Sequence, residues 1–250
     1  MRAFTSCGRR KEWLMYPGYY GFYWDPTYFL VIIGAVICMI ASVRVRSTYN
    51  RYSRVRSASG MTGAQAAQAV LHFAGIYDVS VVHVAGNLTD HYDPRSKTLA
   101  LSDTVYGSDS VAAVGVAAHE CGHAIQHQKH YVPLSVRGAL VPVANFGSSM
   151  SWILILLGLI FNGNSGYYMI MAGAILFFAV VLFQLVTLPV EFNASHRAVE
   201  ILGQSRIQND DELVYTKRVL RAAAMTYVAG AAASILQLLR ILLLGGRRKD

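Results

Sequence analysis

The stretch His119-Glu120-Cys121-Gly122-His123 places two imidazoles four residues apart, with a carboxylate beside the first. Residues i and i+4 share one face of a helix. On a helix, both imidazoles reach a single metal ion. Glu120 then stands where it can take a proton from water activated by that ion. A bound zinc ion lowers the pKa of its water and polarises a carbonyl. The spacing is the HExxH pattern of zinc-dependent peptide hydrolysis.

A zinc ion that keeps one position open for water needs three protein ligands. A third histidine in the extended metzincin pattern would fall at position 129, with glycine at 126. Those positions hold Lys129 and Gln126, which excludes that class. His127 lies on the same helix face but eight residues from His119, about 12 Å along the axis. It reads as a surface group, or as a support for the ligands, and His130 is weaker still. A carboxylate on another helix is the remaining option. Glu191 is the outstanding candidate, because it is the charge at the edge of a long uncharged tract. Glu200 and the run Asp210-Asp211-Glu212 are rivals, but they resemble helix caps and a solvated face.

The elements that must position these residues follow from the pattern around them. Ser108 to Ser110 can cap a helix running through VAAVGVAAHECGHAIQHQK. Upstream, Thr62-Gly-Ala-Gln65 fits a capping box, and Gly75 can stop the helix that follows. Val79–Val84 is β-branched and reads as a strand. Leu88–Ser102 reads as a β-hairpin turning at Asp93-Pro94. The Thr98–Ser102 strand is expected to offer an edge to an extended peptide.

The rest of the chain is apolar. Of 250 residues, 54% are hydrophobic and 14% charged. Soluble domains carry roughly 25% charged residues. An ordinary soluble domain and a disordered chain are both excluded. Pro26–Val43 has no charge and is followed by Arg44, Arg46, Arg51, Arg54 and Arg56. Gly138–Val190 also has none, and Asn162–Gly166 divides it into two spans joined as a hairpin. Ala222–Leu239 is a fourth uncharged tract, which either spans or lies at the interface.

The expected organisation is an N-terminal segment (1–25) and a first span (26–45). A catalytic segment (46–137) carries the HExxH helix. Two further spans follow (138–161 and 167–190). A second polar segment (191–225) and a last transmembrane or interfacial helix (226–246) complete the chain. The fold class is a mainly α integral membrane protein with about four transmembrane helices. Its catalytic segment is zincin-like, α+β, with a small β-hairpin.

The net charge of +8 sits beside apolar spans and so argues for membrane topology rather than nucleic-acid binding. The distribution favours a catalytic site facing the cytoplasm, although Arg2, Arg9, Arg10 and Lys11 oppose it. Met15 is a candidate translation start, which would remove that opposition. The first span is read as an anchor rather than a cleaved signal. Cys7, Cys38 and Cys121 are odd in number and scattered, so no disulfide framework and no CxxC zinc site is expected.

Three stretches in order carry a family resemblance: Thr89-Asp-His-Tyr-Asp-Pro-Arg95, Ala117-Ala-His-Glu-Cys-Gly-His-Ala-Ile-Gln-His127 and Leu188-Pro-Val-Glu-Phe-Asn-Ala-Ser195. Together they resemble the bacterial membrane-bound neutral zinc metallopeptidases of the YugP type. That group is gluzincin-like and distantly similar to HtpX and to the Ste24-type CAAX prenyl proteases. The resemblance implies a Zn2+ cofactor held by His119, His123 and Glu191, with Glu120 as general base. HtpX-like proteases place Asp four residues after the ligand Glu; here that position is Ser195.

The expected activity is zinc-dependent endopeptidase cleavage of a peptide or membrane-protein substrate by a protein seated in the lipid bilayer, and no nucleic-acid partner is expected. Oxyanion donors could come from His196, Arg197, Tyr227 or His91. The competing reading is a non-catalytic membrane scaffold or transporter component with a vestigial or structural metal site. A structural site needs no base, so Glu120 weighs against it. An intramembrane protease with a deeply buried motif is excluded. Asp109 and Lys129 bracket the HExxH helix, and no LDG motif occurs.

Overall fold

The structure, a computed structural model, describes residues 25–161 and 163–246. Met15 and most of the expected N-terminal segment lie outside the described residues. In chain order the helices are α1 (Tyr28–Tyr52), α2 (Gly63–Phe73), α3 (Asp103–Tyr106), α4 (Val111–Gln128), α5 (Val132–Ile160), α6 (Asn164–Gln204) and α7 (Asp210–Gly246). Between α2 and α3 lie the strands β1 (Ser80–Val84), β2 (His91–Asp93) and β3 (Thr98–Ser102).

α1, α5, α6 and α7 are long and apolar enough to cross a membrane. Their apolar residues point outward as well as inward. Phe29, Met39, Val43, Phe146, Ile160 and Ile175 are all exposed. A helix that is apolar all round matches lipid contact rather than a water-facing surface. The protein is therefore an integral membrane protein of mainly helical class, as the uncharged tracts imply.

Two separate cores result. Ile155, Ile170, Ala174, Phe177, Val181 and Ile241 pack where α5, α6 and α7 meet. The second core belongs to the polar segments. It joins Val70 and Leu71 of α2, Leu99 and Leu101 of β3 and Val114 and Ala118 of α4 to Leu202 of α6 and Leu220 of α7. Leu99 and Leu101 are fully buried, and each contributes roughly 1.5–3 kcal/mol. Helices that cross the membrane thus also form walls of the polar domain.

The sheet has the order β1-β3-β2. β2 and β3 are antiparallel, pairing Asp93 with Thr98 across the expected hairpin. β1 runs parallel to β3, with Ser80 opposite Thr98. Two chain reversals separate β1 from β3, which makes the parallel pairing possible. β3 is consequently central and has no free edge. The expectation that Thr98–Ser102 offers an edge to a peptide is corrected by this topology. The outer edge on that side belongs to β2.

Local signals hold at the helix ends. Thr62 Oγ1 accepts from Gln65 N, and Gln65 Oε1 accepts from Thr62 N. Gly75 ends α2 with φ +74°. Ser110 Oγ caps α4 by accepting from Ala113 N at 3.2 Å. α6 is one unbroken helix despite Pro189, so the third span and the start of the second polar segment are continuous.

Candidate metal centre

α4 presents His119, Glu120 and His123 from consecutive turns, and α6 crosses it. The crossing is close because of Gly122. A Cβ there would stand 2.6 Å from the carbonyl oxygen of Ala194. This contact lets the backbone of α6 approach the histidine face of α4. Glu191, one turn before Ala194, then points at both imidazoles.

Oε2 of Glu191 lies 3.3 Å from His119 Nε2 and 3.7 Å from His123 Nε2. The donor atoms of the three residues lie within 4.8 Å of one another. Nitrogen and oxygen ligands at ordinary zinc bond lengths, arranged as a tetrahedron, stand about 3.3–3.6 Å apart. Glu191 is 2% exposed, and its Oε2 is buried without a hydrogen bond. A buried carboxylate oxygen without a partner is costly. A cation between these atoms removes that cost. The donor set therefore fits a zinc ion.

The outer nitrogens are already engaged. Gln126, fully buried, donates from Nε2 to Val190 O at 2.8 Å and to Asn193 Oδ1 at 3.0 Å. Its Oε1 must then accept, and it lies 3.0 Å from His123 Nδ1. His123 thereby donates from Nδ1 to Gln126 and turns Nε2 toward Glu191. His119 Nδ1 lies 3.2 Å from Ser195 Oγ. Such contacts orient imidazoles for a metal. Arg137, near the start of α5, donates from Nη1 to Glu191 Oε1 at 3.2 Å.

The motif's remaining residue types are accounted for. Cys121 faces the opposite side, buried against the carbonyl of Ala67. Burial pushes its thiol well above the ordinary range, so it is a neutral core group. Glu212 caps α7: its Oε2 accepts from Asn209 N, and its Oε1 accepts from Ala58 N. Glu200 is exposed. Neither rival lies in the three-donor group. His127 Nδ1 lies 3.0 Å from Tyr92 Oη, and His127 is not one of the three donors.

A cleft of about 580 Å³ opens on the group, lined by Glu120, His123, Glu191, His91 and Tyr92 of β2, and Tyr227 of α7. Of the four possible oxyanion donors, Tyr227 and His91 face this cleft. Arg197 instead donates to Asn193 Oδ1 at 2.7 Å. His196 lines a separate hollow beside Glu200. Gln126 and Arg137 were not singled out from the sequence as site residues. Arg137 had a signal: it is the charge that precedes the longest uncharged tract. Gln126 had none beyond its place one turn after His123.

Comparison with known proteins agrees with this geometry. The family model described as "Putative neutral zinc metallopeptidase" matches residues 27–245. The "Putative membrane protease YugP" of Bacillus subtilis (strain 168) is 45% identical over 225 residues, covering 89% of this chain and 98% of that protein. No solved structure matches. The match extends from the foot of α1 almost to the end of α7 and takes in all three converging donors, so the chain belongs to the "Putative neutral zinc metallopeptidase" family.

Proposed function

We propose that this protein is a membrane-embedded zinc endopeptidase. His119, His123 and Glu191 hold the ion, and Glu120 is the general base. The observation that carries this reading is the convergence of three donor atoms beside a cleft that Glu120 lines. When bound, zinc supplies Lewis acidity that polarises the scissile carbonyl and lowers the pKa of water.

Glu120 takes the proton of the attacking water and returns it to the leaving amine, acting first as base and then as acid. Gln126 and Ser195 hold the imidazoles in orientation. Arg137 holds Glu191 in place through its hydrogen bond to Oε1. Tyr227 and His91, which line the cleft, are the donors we assign to the developing oxyanion. The free outer edge of β2, beside the cleft, suits an extended peptide better than the buried β3. The basic residues in the last turns of α1, those just after it and those at the start of α7 favour a cleft on the cytoplasmic side.

The test is zinc content and cleavage of an unfolded protein such as casein, on the purified full chain. Glu120→Gln keeps zinc and loses about 10²- to 10⁴-fold in rate. Glu191→Ala loses both metal and activity. Full cleavage by the Glu120→Gln variant overturns the mechanism. Unchanged zinc affinity in Glu191→Ala moves the third ligand elsewhere.

A further inference from the structure

A second cavity, about 610 Å³, lies between α1 and α7 and shares no lining residue with the cleft. α7 separates the two: Tyr227 faces the cleft, and Val228 faces this cavity. The two helices run antiparallel and are pinned at both ends. At one end Arg218 Nη1 donates to Tyr52 Oη at 2.9 Å. At the other, Gly34 packs so closely that a Cβ would stand 3.2 Å from Ala233 Cβ. Gly34 and Tyr52 are about 27 Å apart along α1 at 1.5 Å per residue.

The cavity has two chemically distinct halves. Ile37, Ile40 and Ala41 of α1 face Met225, Ala229 and Ala232 of α7 in the apolar half. Arg44 and Arg51 of α1 face Arg218 and Arg221 of α7 in the other. Uncharged sequence ends at Val43 on α1 and resumes at Ala222 on α7. Arg44 and Arg221 thus mark the same level, where both helices leave the hydrocarbon.

All four arginines are exposed. Among the described residues, no carboxylate makes an ion pair with any of them. Four like charges around one opening repel each other unless an anion joins them. Guanidinium groups match phosphate oxygens in a bidentate fork. Basic pockets between membrane helices at this depth suit anionic headgroups.

We propose that the α1–α7 cavity is a binding site for an anionic glycerophospholipid. The phosphate sits among Arg44, Arg51, Arg218 and Arg221, and the acyl chains lie along the apolar half. The occupant comes from the leaflet on the side of the polar domain. A bound lipid replaces the missing counter-charge and ties α1 to α7. This site is independent of the metal chemistry.

The test uses the full chain in detergent, with phosphatidylglycerol and phosphatidylcholine of identical acyl chains, read by native mass spectrometry. Phosphatidylglycerol is expected to bind about tenfold or more tightly than phosphatidylcholine. Arg44→Gln/Arg221→Gln abolishes that preference. Arg46→Gln/Arg54→Gln, which removes equal charge outside the cavity, keeps it. Ala232→Phe fills the apolar half, leaves every arginine in place and still weakens phosphatidylglycerol binding.

Thermal unfolding of each variant checks that it is folded. Equal binding of the two lipids overturns the proposal. So does equal loss in both arginine pairs, which would mark diffuse surface charge. Displacement of the lipid by soluble glycerol phosphate at similar concentration would mark a free-anion site and overturns it as well.

Discussion

Arg137 donates to Oε1 of Glu191 across 3.2 Å, and these two residues are the charges that bound the uncharged tract Gly138–Val190. α5 and α6 form an antiparallel hairpin, so the two ends of the tract must meet. The pair therefore closes the hairpin at the membrane surface, and it does so at the three candidate metal donors. Glu191 divides its oxygens, with Oε1 on the guanidinium and Oε2 on the imidazoles.

Removing the guanidinium leaves a buried carboxylate with a weaker set of partners. Arg137→Gln is expected to destabilise the metal-free protein by about 1–3 kcal/mol. Zinc supplies positive charge to the same carboxylate, so the zinc-loaded variant recovers most of the loss. Melting temperatures with zinc and with a chelator measure both arms. Equal destabilisation in both arms would break the link between Arg137 and the metal group.

Gln126 satisfies three groups at once from a fully buried position. Gln126→Leu fills similar volume but lets His123 rotate and exchange tautomers. Zinc affinity is expected to fall about 10- to 100-fold, as when such outer contacts are lost elsewhere. Competition against a chromogenic chelator gives the number.

Ser195 meets His119 with a neutral hydroxyl. Ser195→Ala removes the contact and is expected to weaken zinc binding about tenfold. Ser195→Asp places a charge beside Nδ1, which makes the imidazole a better ligand. Its zinc affinity should equal or exceed that of the unmodified chain in the same competition assay.

Gly122→Ala drives a methyl into the Ala194 carbonyl. The cost is about 1–3 kcal/mol of overpacking. Because α6 must move away, zinc affinity should fall as well. Gly107→Ala is the control. No atom lies within 4 Å of a Cβ there, and the change should stay within about 0.5 kcal/mol. Thermal unfolding and zinc titration of the two variants provide the comparison.

The parts of the site that were legible are those set by local geometry or by scarcity. His119 and His123 share a face because helical spacing requires it. Glu191 stood out because charge is rare at the edge of a span. Ser110 and Thr62 cap their helices through contacts three residues long. The illegible parts depend on how separate elements cross. Gln126 is one polar residue among several on α4, and only the passage of α6 makes it a clamp. The place of β3 inside the sheet depends on β1 returning beside it, a pairing that strand propensity does not encode. Tyr227 and Arg197 were equal candidates until the position of α7 separated them.

α6 has a further consequence. Its 41 residues give a rod of about 60 Å, roughly twice the hydrocarbon thickness. The longer part, residues 164–190, is the apolar span, and the shorter part carries Glu191 and Ser195 to the histidines of α4. No hinge loop lies between them. A thinner or thicker bilayer is expected to tilt the immersed part, and the continuous helix carries that tilt through Pro189 toward the carboxylate. Acyl-chain length in the surrounding membrane is thereby expected to shift the spacing of the three candidate donors.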